Sequence, residues 1–357
     1  MNKSSTQYKS NPAITFAAYL IIIGVAMYAS SIITPILLAL FISIILAQPI
    51  AWLAKKKIPN GWAVIMVLTG SFLLFFGMGQ IIGSSITQFT QDAPQYADKL
   101  SNISASIFNT LHGLGFDLSL DNMESQINPG RVMDLSAGFL SEIGSLMGNI
   151  FLIVFVLIFL LLEINSFSVK MDAIIDTSDG TISYLKKIGD SIRQYLGLMT
   201  IISLLTGILV WLALVIIGVK YAVLWAFLAF LLNFIPNIGS IVAGVPAVLF
   251  AMVQLGFGGA MWTMGSYIAI NMIVGNVIQP QIMGKGLGLS TLIVFISLIF
   301  WGFIFGTVGM FLSVPLTMIV KIILEQNEST KWIAILLGTT NEAQTIVDGN
   351  RSALGKS

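Results

Sequence analysis

Asn271, Gly275 and Gln279 recur at i, i+4 and i+8, so a helix would carry them on one face, with Asn276 beside it. They lie in a block, Ser191 to Leu324, that holds no Asp or Glu. Carboxamides are costly against lipid and turn inward. There they either hydrogen-bond neighbouring helices or bind a neutral, hydrogen-bonding solute, and the spacing fits both. The same block contains Asn233-Phe234-Ile235-Pro236-Asn237-Ile238-Gly239-Ser240. Pro236 and Gly239 should interrupt a helix there, with Asn233 and Asn237 adding amides. Unwound backbone at membrane depth must be buried in protein or line a wet cavity. A second break is expected at Gly302, Gly306 and Gly309, ahead of Val314-Pro315. Aligning Val245-Pro246 with Val314-Pro315 sets Ser240 on Gly309, a faint internal repeat, and paired discontinuous helices point to a transport site. The expected solute path is therefore Asn233, Asn237, Asn271, Asn276 and Gln279. The expected helix-breaking residues are Pro236, Gly239, Pro280, Gly306, Gly309 and Pro315.

Other chemistries find little support. The chain has no cysteine, and its one histidine, His112, falls at a predicted helix end, so neither a metal site nor catalysis is expected. No acid pair or serine–base arrangement occurs in the spans, and no Gly-rich, Lys-ended phosphate loop appears. The chain reads as neither an enzyme nor an ATP-driven pump, with no cofactor, and its net charge of +1 gives no reason for a nucleic-acid partner. Glu163 is the only carboxylate within a span and sits at its end. Arg193 and Asp190 form an interfacial charge pair of positions: Arg193 caps a helix, pairs with Asp190 or meets an anionic substrate.

The elements that must hold these residues are membrane helices. Apolar residues make up 56% of the chain and charged residues 9%, with a mean hydropathy of +0.93; a soluble domain carries about 25% charged residues. All 16 acids fall in two tracts, Asp92 to Asp190 and Glu325 to Asp348. A span needs about 20 apolar residues. Candidates are 13–33, 36–54, 62–86, 145–165, 195–218 and 258–282, with compound stretches 221–254 and 290–324 that are long for one helix and short for two. Thr34-Pro35 is expected to fold the first pair into a tight hairpin. Gly24, Gly70 and Gly77 read as helix-packing glycines. Lys3, Lys9 and Lys55-Lys56-Lys57 mark the cytoplasmic side by the positive-inside rule, and 88–144, with seven acids against Lys99 and Arg131, falls outside.

Tyr96, Leu100, Ile103, Ile107 and Leu111 predict one helical stripe in that outer segment, and a further helix is expected from Pro129. Ser178-Asp179-Gly180 reads as a turn before an amphipathic helix carrying Ile182, Leu185, Ile188, Ile192 and Leu196. The expected organisation is all-α and polytopic, with about eight membrane segments. It runs 1–87 N-terminal membrane helices, 88–144 extracytoplasmic helices, 145–165 a membrane helix, 166–192 a cytoplasmic amphipathic segment, 193–325 the C-terminal membrane domain, and 326–357 a cytoplasmic tail. If 221–254 and 290–324 each cross once, the Lys285 loop is outside; if both are re-entrant, it is inside.

Ile192-Arg193-Gln194-Tyr195-Leu196, Leu232-Asn233-Phe234-Ile235-Pro236-Asn237-Ile238-Gly239, Gly275 to Gly284, Gly306-Thr307-Val308-Gly309 and Val314-Pro315-Leu316, in this order, resemble the AI-2E transporter family. The resemblance implies a bacterial inner-membrane protein with cytoplasmic termini, assembled as a homo-oligomer, with pentamers and an elevator-like movement described for the family. It also implies a small-molecule solute. Some members export autoinducer-2, a neutral polyhydroxylated signal of quorum sensing, and others act as sodium(lithium)/proton antiporters. The carboxylate-free block favours a neutral solute over proton exchange. Antiport coupled to H+ or Na+ is the alternative, and an oligomeric channel the second.

Overall fold

The computed structural model describes residues 12–113, 138, 150–175, 183–235, 239–283 and 288–354, and all their regular structure is helical. The bilayer explains why: without water, a spanning backbone must satisfy its own N–H and C=O groups. In chain order come α1 (Pro12–Tyr28), α2 (Ser30–Lys55), α3 (Asn60–Gly113), α4 (Ile150–Ile175), α5 (Ser183–Ile217), α6 (Ala222–Leu232) and α7 (Gly239–Ile273). A π-helical turn (Val274–Ile278) leads into α8 (Gln279–Met283), followed by α9 (Thr291–Glu325), α10 (Lys331–Leu337) and α11 (Thr340–Leu354). Among the described residues five stretches are long and apolar enough to cross a membrane: Ser30–Lys55, Asn60–Phe89, Lys187–Ile217, Gly239–Ile282 and Thr291–Glu325. Ile150–Glu163 and Ala222–Leu232 are shorter apolar helices. Phe72, Leu73, Phe151, Phe159, Ile216 and Phe303 are exposed on them, a surface that suits hydrocarbon and not water. The chain is a polytopic, all-helical membrane protein.

Thr34-Pro35 does not make a hairpin. Pro35 lies buried inside α2, and the helical path is interrupted at Ala29 (φ −85°, ψ 5°). Membrane helices tolerate an internal proline because neighbouring groups absorb the lost bond. Gly24, Gly70 and Gly77 have open space where a Cβ would stand, so among the described residues no helix packs closely on them. The α3 backbone is helical as far as Gly113, and α5 runs without interruption from Ser183 to Ile217, as the apolar stripes predict. The helix expected from Pro129, the turn at Ser178-Asp179-Gly180, and Pro236, Asn237 and Lys285 lie outside the described residues.

Both compound stretches are hairpins that return to the end from which they started. In a straight helix Trp301 and Thr317 would stand about 24 Å apart, yet the Trp301 indole Nε1–H donates to Thr317 Oγ1 at 2.9 Å. The chain reverses at Gly306 (φ 62°, ψ −147°), a backbone region open essentially to glycine alone. At the open end of this hairpin Lys321 Nζ donates to the Gly288 carbonyl at 2.6 Å. The other hairpin consists of α6 and the first arm of α7 (239–255). Its open end is tied by the Lys220 amide donating to Gln254 Oε1 (2.8 Å) and by Gln254 Nε2 donating to the Gly218 carbonyl (3.0 Å). Gly256 (φ 76°, ψ −170°) then reverses α7 into a second arm (257–273) that runs back along the first.

Three apolar clusters form the core; one joins α2, α3 and α4 through Ala39, Ile50, Ala63, Val64, Ile153 and Leu161, and the other two lie at different depths along the hairpins. Of these two, one joins Val210, Leu214, Leu224, Trp225, Leu228, Ala247 and Phe250 to Ile82 and Phe89 of α3. The other gathers Phe41, Ile192, Leu196, Met199, Val308, Leu312 and Val314. Phe234, from the tip of the first hairpin, packs into this last cluster together with Trp301 and Phe305, which precede the tip of the other. The two hairpins thus enter from opposite ends and meet tip to tip.

Candidate functional site

Four small polar side chains converge where the tips meet. Asn233 Nδ2 donates to Ser203 Oγ at 3.0 Å, and Ser240 Oγ donates to Asn271 Oδ1 at 2.8 Å. The pairs are adjacent, because Gly239, next to Ser240, is pressed against the Leu232 carbonyl and the Asn233 amide. At about 1.5 Å per residue these four groups stand roughly 18–24 Å from Ile217, Tyr221 and Gly256, the ends of their helices. A bilayer is about 40–45 Å thick with its headgroups, so that depth is its middle. Gly306 reaches the same level from the other side, about 22 Å from Thr291.

The local sequence explains the geometry. At each tip a glycine lets the returning arm touch a carbonyl of the outgoing arm: Gly239 against Leu232, and Gly309 against Trp301. Val245-Pro246 and Val314-Pro315 both lie on returning arms, so the faint repeat corresponds to two hairpins of opposite direction. Their contact glycines differ by one position from that alignment. Pro315 itself is inside helix and buried, and does not break it. Pro280 follows the π-helical turn 274–278. A proline ring clashes with the carbonyl four residues back, here that of Asn276, and the wider turn accommodates it.

The expected path residues are only partly united. Asn233 and Asn271 meet at the tips. Asn276 and Gln279 do not: the π turn carries them off the Asn271 face, Asn276 is exposed and Gln279 half-buried. The face of Asn271 continues the other way, to Tyr267 and Thr263 at i−4 and i−8. Both are buried, and among the described residues neither hydroxyl has a hydrogen-bond partner. A Cβ on Gly244 would stand 3.1 Å from the Tyr267 ring, so this stripe faces the first arm of α7. The same i, i+4 rule that linked Asn271 to Gly275 could have found Tyr267 and Thr263. Arg193 and Asp190 are exposed, with no ion pair between them among the described residues. The Arg193 backbone carbonyl accepts from Gln48 Nε2 at 3.2 Å, joining α5 to α2.

Lys321 is a buried charge that the reading of motifs missed. It is 5% exposed, and its ammonium donates to Glu342 Oε2 (2.6 Å) as well as to Gly288, with Glu325 Oε1 at 3.6 Å. Glu325 Oε2 in turn accepts from Lys187 Nζ of α5 at 2.9 Å. The Ser290 amide donates to the Leu337 carbonyl at 3.0 Å. The segment carrying α10 and α11 is thereby pinned to the foot of the α9 hairpin. Among the described residues no group of His, Cys, Asp or Glu could hold a metal ion.

Opposed helical hairpins with neutral polar groups at mid-depth are the arrangement expected of a membrane transport protein. The AI-2E family transporter pattern matches residues 16–328, and the chain belongs to that family. It is 38% identical over 315 residues to the AI-2 transport protein TqsA of Escherichia coli K12, covering 88% of this chain and 92% of that one. A putative transport protein of Haemophilus influenzae is 40% identical over 332 residues, with 91% and 95% covered. The putative transport protein YhhT of Escherichia coli K12 is 30% identical over 322 residues, with 90% and 92% covered.

Proposed function

We propose that the chain exports a small, neutral, polyhydroxylated organic solute resembling autoinducer-2, by alternating access about the two hairpin tips. One observation carries this reading: Ser203, Asn233, Ser240 and Asn271 converge at mid-depth with no carboxylate among them. Hydroxyls and carboxamides both donate and accept, as sugar-like hydroxyls do, whereas proton exchange needs a group that titrates. The name of the relative TqsA, AI-2 transport protein, supports the same solute class. A homo-oligomer, pentameric by family resemblance, belongs to this reading.

Flux in proteoliposomes tests it. Purified protein should move autoinducer-2 down its gradient and produce no pH change on addition of sodium. Asn271→Leu removes the acceptor of Ser240 and a solute partner together, and hydrogen bonds lost from a buried site cost about 1–3 kcal/mol. Flux should fall by about ten- to a hundred-fold, with the protein assembled as before. Sodium-driven proton movement without autoinducer-2 flux would replace this function with antiport.

The orientation follows from the lysine triplet at the α2–α3 turn, which the positive-inside rule puts in the cytoplasm. The Gly256 turn then faces outward, and the Lys321 end and the C-terminal segment pinned to it face inward. The chain has no cysteine of its own. Gly258→Cys, at an exposed position, should react with an impermeant maleimide added to intact cells. Ser329→Cys should react only after the cells are opened, and the converse pattern would invert the topology.

A further inference from the structure

A wide-mouthed cavity of about 500 Å³ lies at the surface by the mouth of the first hairpin, lined by Gln88, Gln91 and Asp92 of α3 and by Lys220 and Tyr221. It lies at the end of the molecule opposite the lysine triplet, since Gln88 stands about 42 Å along α3 from Asn60. Its volume falls within the roughly 300–1,000 Å³ of small-molecule sites. We propose that it is a binding site for a small neutral polyol, distinct from the mid-depth cluster and about 20 Å from it.

The lining indicates the ligand class. Asp92 and Lys220 cancel in formal charge, so the cavity selects neither anions nor cations by field alone. Asp92 Oδ2 accepts the Tyr221 hydroxyl at 2.7 Å, and a carboxylate retains further lone pairs for solute hydroxyls. Gln88 and Gln91 each offer donors and an acceptor, the combination that a ligand with several O–H groups satisfies and a simple ion does not. Tyr221, the aromatic residue of the lining, packs on a buried aromatic cluster. The Phe89 ring stands edge-on to Tyr221 at 6.1 Å and to Trp225 at 5.4 Å, and Phe250 packs on Tyr221 at 5.5 Å. Of these rings only that of Tyr221 lines the cavity and can meet the C–H face of a sugar-like molecule; Phe89, Trp225 and Phe250 are fully buried and support it from behind. Tyr221 holds its place with a left-handed backbone (φ 57°, ψ 31°), uncommon for any residue with a side chain.

The ligand class rests on the proposed function; the site rests on the cavity. Because the chain lacks cysteine, Gln91→Cys gives a single reporter within the cavity, and Gln95→Cys, exposed one turn further along α3, gives a control outside it. Both are labelled in proteoliposomes with an impermeant maleimide, alone and with saturating ribose, autoinducer-2 or glycine. Either polyol should slow labelling at Gln91→Cys about ten-fold, as mass action requires for a largely occupied site. Neither should slow it at Gln95→Cys, and adding Asp92→Asn should abolish the protection. Equal rates with and without polyol at both Gln91→Cys and Gln88→Cys, each of which keeps the other glutamine, would overturn the proposal, as would equal protection by glycine. Autoinducer-2 flux by the unsubstituted protein separates the two readings: flux without protection removes only the cavity, and protection without flux removes only the transport reading.

Discussion

Gly239→Ala should abolish most transport, and Gly309→Ala should do the same from the opposite side of the membrane. At each position the added methyl would overlap a backbone carbonyl oxygen, that of Leu232 or of Trp301. Overpacking against side chains costs about 1–3 kcal/mol because rotamers can yield. A carbonyl within a hairpin tip cannot yield without opening the tip, so the cost lies at or above the top of that range. An opened first tip moves Asn233 from Ser203 and Ser240 from Asn271. An opened second tip strains the Trp301–Thr317 bond that holds its arms together. Solute flux should drop by about ten-fold or more in either variant, since about 1.4 kcal/mol corresponds to each factor of ten, and the thermal midpoint in detergent should fall. Gly70→Ala and Gly77→Ala are the controls. Nothing stands within 4 Å of a Cβ at either, and alanine is the better helix former by about 1 kcal/mol, so both variants should keep their flux and midpoint. Normal flux in Gly239→Ala would show that the tip tolerates opening and takes no part in transport.

The paired breaks were legible because glycine and proline punctuate an otherwise uniform apolar text. Asn233 and Gly239 disclosed the first tip, and Gly306 with Gly309 the second. Hydropathy alone could not show that both stretches turn back. A helix that reverses at Gly256 or Gly306 has the same composition as one that continues, and the reversal depends on contacts such as Trp301 with Thr317 and Lys220 with Gln254. The pairing of Asn271 with Ser240 was hidden for the same reason, since the two residues approach only after the turn at Gly256. Gln279 failed as a companion of Asn271 because the i+8 rule assumes an unbroken α-helix, and the π turn ahead of Pro280 takes more residues per turn and shifts the face. Thr34-Pro35 misled in the opposite direction: a proline reads as a stop in water, while a membrane helix absorbs it. Lys321 left no trace in any motif. A lone lysine near the end of an apolar stretch resembles a topology anchor, and only the fold shows that Gly288, Glu325 and Glu342 surround it.

That lysine supports the second large effect. Lys321→Met retains most of the side-chain volume and removes the charge, leaving the Gly288 carbonyl and Glu342 without their donor. Hydrogen bonds to charged groups contribute about 1.5–3 kcal/mol each. The Glu342 side chain is 43% exposed and can recover water, so the buried bond to Gly288 is the larger loss. Glu325 keeps Lys187 and stays in place. The expected result is local: the segment from Lys331 onward detaches from the foot of the α9 hairpin, while the tips and the first hairpin keep their packing. Limited proteolysis of inside-out vesicles should then cut the C-terminal segment about a hundred-fold faster, because a local opening cheaper by about 3 kcal/mol raises the open population by that factor. Glu342→Gln preserves an acceptor for the ammonium and should speed cleavage far less. Detachment frees the open end of a hairpin that the transport reading requires to move, so solute flux in Lys321→Met should remain and its rate should rise. Unchanged proteolysis in Lys321→Met would mean that the Ser290–Leu337 backbone bond holds the segment alone, and loss of flux with intact tips would make the lysine part of the path.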